Sequence, residues 1–174
     1  MGWQWGGGWL AEIGFSDFAG STLVHSTGGA AALAGIILLG ARNGRFDSAG
    51  NPKALKPFAA SSIPLVTIGV FILWLGWFGF NGGSQLALGT FDDAVAISTI
   101  FINTNLAACG GVLAAATITR LMYGKTDVIQ MLNGAIGGLV AITAEPLAPS
   151  PFAAIIISAI GGLIVVFGTK LLFS

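Results

Sequence analysis

Asp17-Phe18-Ala19-Gly20-Ser21-Thr22-Leu23-Val24-His25-Ser26-Thr27-Gly28-Gly29 decides how the rest of the chain is read. It holds the only histidine of the 174 residues and opens the first long run without a charged side chain. At about 1.5 Å of rise per residue, a helix starting at Asp17 puts His25 roughly 12 Å further along its axis. A bilayer core is about 30 Å thick. With Asp17 at one interface, His25 therefore reaches the middle of the membrane. An ionisable side chain is costly there, and its presence points to function.

The residues around this stretch have the composition of a membrane protein: 55% are hydrophobic and 8% charged, against about 25% charged in soluble domains. Phe18 to Ala41, Pro57 to Phe91, Ala94 to Thr119, Val128 to Ala144 and Pro146 to Thr169 contain no Asp, Glu, Lys or Arg. Each is about as long as a bilayer requires, the fourth being the shortest. The expected fold is all-α, a polytopic transmembrane helical bundle of about five spans, over 17–41, 59–81, 94–123, 128–143 and 152–173. Lipid bilayer is thus the expected surrounding.

The charges give the orientation. If five spans alternate, Arg42, Arg45, Lys53, Lys56, Arg120, Lys125 and Lys170 all fall on one side, which the positive-inside rule makes cytoplasmic. Glu12, Asp17, Asp92, Asp93 and Glu145 fall outside, together with the Trp-rich start and the patch Phe80 to Ser84. Zero net charge argues against a nucleic-acid partner. Met1-Gly2-Trp3 carries no basic leader, so no cleavable signal is expected. The single Cys109 reads as a small core residue. The sequence shows no phosphate loop, metal-ligand cluster or nucleophile–base pair, so it offers no support for an enzyme, a metal or a cofactor.

Two readings stand beside each polar candidate. His25 is either a packed, hydrogen-bonded histidine or a polar relay on a pathway, with Gly28, Gly29 and Ala30 leaving room beside it. Asp17 is a helix cap, an electrostatic organiser of a cation site, or both. Trp5, Trp77, Phe80 and Ser84 form either an interfacial aromatic belt or a cation site. In the latter, ring faces attract an ammonium-type ion and a hydroxyl accepts one of its hydrogen bonds. Asn103, Thr104, Asn105 and Asn133 read as interhelical hydrogen-bonding groups. Gly28 with Ala32, Ala107 with Gly111, Gly134 with Gly138 and Ser158 with Gly162 are small pairs that let helices approach closely.

Trp5-Gly6-Gly7-Gly8, the DFAG run Asp17 to Gly20, and His25 resemble the Amt/Mep/Rh ammonium transporter family. So do GWFGFNGGS (Gly76 to Ser84), NTNLAA (Asn103 to Ala108) and LNGAIGGLVAIT (Leu132 to Thr143). The resemblance covers nearly the whole chain. It implies that residues 1–174 are a partial ammonium transporter membrane domain, corresponding to the fifth to ninth spans of an eleven-span fold. It further implies ammonium or ammonia as the substrate, with Trp5, Phe80 and Ser84 recruiting it in an outer vestibule and Asp17 beneath them. His25 then corresponds to the first of two pore histidines, and Trp77 to a pore-lining aromatic. A homotrimer in the cytoplasmic membrane serving nitrogen uptake, with PII-type regulators at its inner face, is the family expectation. The second pore histidine and a second gating phenylalanine have no counterpart in this sequence. A sensor or receptor-like relative with little conduction, or an inactive fragment, is the alternative.

Overall fold

The computed structural model describes residues 1–46 and 60–173. Lys53, Lys56 and the expected start of the second span at residue 59 lie outside the described residues. Among the described residues, six helical segments follow one another: α1 (Trp9–Glu12), α2 (Ser21–Leu39), α3 (Ile63–Gly83), α4 (Phe91–Tyr123), α5 (Val128–Ile142) and α6 (Pro151–Phe173). Four of them, α2, α3, α4 and α6, are long and apolar enough to cross a membrane. At 15 residues, α5 is about 22 Å long, which is shorter than a bilayer core.

Local chemistry sets the helix ends. Ser62 caps α3, its hydroxyl accepting from the Leu65 N–H, with proline in the first turn where no donor is lost. Thr90 and Asp93 form a reciprocal capping box at the start of α4. Asp127 caps α5 through Gln130 N–H. Gly124 closes α4 with φ +72°, a left-handed conformation that favours glycine. The first expected span needs correction. Its helix begins at Ser21 rather than Asp17, and its first turn, Ser21–Ser26, is a π-helix before α-geometry resumes at Thr27.

α4, α5 and α6 pack into a tight body. A Cβ at Gly111 would strike the Gly134 carbonyl, and one at Gly138 would strike the Ala107 carbonyl. Backbones therefore touch along these seams, where dispersion and close approach replace the hydrophobic effect as the force between helices in lipid. The pairs Ala107/Gly111, Gly134/Gly138 and Ser158/Gly162 lie in this body. Gly28 does not behave in the same way, since nothing lies within 4 Å of a Cβ built there and α2 buries no residue from Thr27 to Leu39. Asn103 of α4 donates from its amide to the carbonyls of Pro146 (2.9 Å) and Pro149 (2.8 Å), tying the α5–α6 loop to the body. The Thr104 hydroxyl accepts from Asn81 Nδ2 of α3 at 3.0 Å. Asn105 and Asn133 are exposed and make no such link.

Candidate functional site

A helix that stops inside a membrane leaves its last carbonyls without partners, a serious cost where water is absent. The short, apolar α5 ends at Thr143, and the Phe18–Ser21 turn meets its last carbonyls. Phe18 N–H donates to the Ala144 carbonyl (2.7 Å) and Ala19 N–H to the Thr143 carbonyl (3.1 Å). The Ser21 hydroxyl donates to the Val140 carbonyl (2.8 Å).

The start of α2 has the opposite need. Its free N–H groups are taken by the Asp17 carboxylate: Oδ1 accepts from Gly20 (3.0 Å) and Ser21 (2.9 Å), Oδ2 from Thr22 (2.9 Å) and Leu23 (2.8 Å). Asp17 is only 1% exposed. Four N–H donors fill the four lone-pair positions of a carboxylate. Asp17 thus acts at the helix N-terminus as the fixed negative charge that the dipole favours there. Gly20, between the two, has φ +104°, and a Cβ there would meet Val24 and the Trp5 ring.

This junction carries His25 one turn into α2. His25 N–H donates to the Gly20 carbonyl (3.0 Å), the wide hydrogen bond of the π-turn, a geometry common at functional sites. The imidazole stacks on the Trp77 indole, with centroids 5.1 Å apart and planes 9° apart, and contacts the Phe80 ring at 5.4 Å. Phe80 and Trp77 are 6.1 Å apart. The three rings, with Ile72, Leu73 and Gly76, line a cavity of about 280 Å³. His25 Nδ1 is enclosed and has no hydrogen-bond partner among the described residues. Trp77 precedes the C-terminal end of α3 at Gly83 by six residues, about 9 Å. The stacked His25 therefore lies beside α3 about 9 Å from that end of the helix.

The remaining expected residues divide. Ser84 lies one turn beyond Phe80 and its hydroxyl donates to the Phe80 carbonyl (2.8 Å), leaving its lone pairs free to accept. Trp5 is tied to the Asp17 turn instead: its Nε1–H donates to the Asp17 carbonyl at 2.7 Å. Sequence reading missed Thr143, whose hydroxyl accepts from Trp77 Nε1–H at 2.8 Å. The available signal was a hydroxyl at the end of an apolar helix too short to cross a membrane.

Four helices of membrane-crossing length, two of them lining an aromatic and histidine-walled cavity, define a multi-pass membrane protein. The chain matches the Ammonium Transporter Family over residues 1–174 and belongs to it. It is 45% identical over 176 residues to the ammonium transporter Amt2 of Archaeoglobus fulgidus, covering 95% of this chain and 36% of that one. It is 40% identical over 166 residues to the ammonium transporter of Bacillus subtilis, covering 95% and 37%. Among solved structures, Candida albicans Mep2 superimposes with TM-score 0.81 at 33% identity, over 97% of this chain and 36% of that one. A structure titled Sensor Amt Protein gives 0.79 at 37% identity, over 92% and 38%. The chain thus spans little more than a third of the length of the curated relatives it matches.

Proposed function

We propose that these residues form one wall of an ammonium-conducting pathway. The observation that carries this reading is the cavity walled by His25, Trp77 and Phe80, with an enclosed, unpartnered Nδ1. Ammonium has four N–H donors and no acceptor. Outside, Ser84 offers lone pairs, and the faces of Phe80 and Trp5 offer cation–π attraction, about 2 kcal/mol or more once water is removed. Asp17 adds its charge at a distance while capping α2. Deeper in, an isolated charge is expensive, and desolvation favours the neutral amine over the cation. Ammonia can both donate and accept a hydrogen bond, which suits a neutral imidazole with one donor and one acceptor nitrogen.

Conduction across the cytoplasmic membrane is the best-supported activity, because the relatives above are named as ammonium transporters. A homotrimer and a PII-type regulator at the inner face belong to this proposal as family expectations.

The test is uptake of labelled methylammonium into proteoliposomes, with the 174-residue chain and any longer chain containing it assayed side by side. His25→Ala should abolish or alter selective uptake. Unchanged uptake and selectivity in that variant would remove His25 from the pathway. Ammonium that binds and displaces the His25 ring signals without crossing would favour a sensor, a reading supported by the likeness to the Sensor Amt Protein.

A further inference from the structure

Two helices must meet at a fixed rotation for His25 and Trp77 to stack, yet α2 buries no residue beyond its first turn. Something else holds the register. Thr143 is fully buried and terminates α5. Its hydroxyl donates to the Leu139 carbonyl at 2.6 Å. That commits its hydrogen inward and turns its lone pairs toward Trp77, whose Nε1–H it accepts at 2.8 Å. Its carbonyl, on the same residue, accepts Ala19 N–H from the turn that leads into α2. One residue therefore grips both ring-bearing segments, the indole through its side chain and the histidine turn through its backbone.

We propose that Thr143 is the positioning residue that sets the His25–Trp77 stack. Its consequence for conduction rests on the pathway reading above. Its geometric content does not.

Because His25 is the only histidine, isotope-labelled histidine gives one set of ring signals from the chain in nanodiscs. Trp77→Leu calibrates the displacement that the indole ring current imposes on them. Without ammonium present, Thr143→Val should move the His25 ring signals more than halfway to their Trp77→Leu positions. Thr143→Ser, which restores the hydroxyl, should leave them at wild-type positions. Signals that stay in place in Thr143→Val overturn the inference. So does a Thr143→Ser variant displaced as far as Thr143→Val, since the hydroxyl would then not be the cause. A wild-type measurement covers the case in which Thr143→Val does not fold: the Trp77 indole N–H should exchange with solvent far more slowly than that of the exposed Trp3, and equal rates overturn the proposal. Failure of the pathway reading would appear instead as normal positioning in these samples with no uptake dependence on His25.

Discussion

The α4–α5–α6 body and the α2–α3 wing are made of similarly apolar helices held by different means. In the body, glycines bring backbones into contact, and Ile100, Ala107, Ala115, Leu139 and Ala154 are almost wholly buried. In the wing, Leu33, Ile36, Ile37, Leu38 and Leu39 of α2 are 59% to 88% exposed, which costs nothing against lipid tails as apolar as leucine itself. The wing's attachment is polar and concentrated: Ser21 to Val140, the Phe18–Ala19 amides to the α5 end, Trp77 to Thr143, Asn81 to Thr104. The body is held mainly by shape and α2 by hydrogen bonds, while α3 adds apolar packing of Trp77 on Ala108 and Leu139, and the candidate site lies where body and wing meet. A site built at such a seam can be placed by a few bonds without the surrounding helices being packed solid.

Substitutions can break this contrast in graded steps. Gly111→Leu should have the largest effect. Even its Cβ meets the Gly134 carbonyl, so α4 and α5 must part, at the upper end of the ~1–3 kcal/mol typical of overpacking. Thermal unfolding in detergent, followed by Cys109 labelling, measures it, and an unshifted midpoint would refute the backbone seam. Asp17→Asn comes next. An amide replaces one acceptor oxygen with a donor facing backbone N–H groups, costing about 1.5–3 kcal/mol for lost bonds to a charged group. The same melt should show it, accompanied by slackening of the Trp5 indole. Trp77→Phe keeps a ring beside His25 but leaves the Thr143 hydroxyl without its donor, an expected loss of about 1 kcal/mol. Gly35→Leu in α2 is the counterpart of the first variant. Nothing lies within 4 Å of a Cβ there, and stability should stay within about ±0.5 kcal/mol. A large loss at Gly35 would erase the distinction between wing and body.

Much of this was legible in the chain. Charge-free runs of bilayer length gave the helices, because burying a charge in hydrocarbon is prohibitive. The motifs around Asp17, His25 and Gly76 to Ser84 gave the family. His25, Trp77 and Phe80 were singled out individually, but no periodicity links residue 25 to residues 77 and 80. Their meeting depends on how α5 ends.

The sequence by itself therefore determined that the chain is a helical membrane protein of this family, and where small residues permit close contact. The helices and close contacts follow from composition and spacing, which act locally along the chain, and the family follows from the resemblance of its motifs. Only the tertiary structure decided that α2 begins at Ser21 in a π-turn and that the Asp17 carboxylate is filled by four backbone amides. It also decided that Trp5 belongs to the Asp17 turn, and that Thr143 joins the histidine turn to the indole. The physical reason is hydrogen-bond satisfaction. Inside a bilayer the free carbonyls of one helix end and the free amides of another must find partners, and which ends meet is settled only when the helices pack.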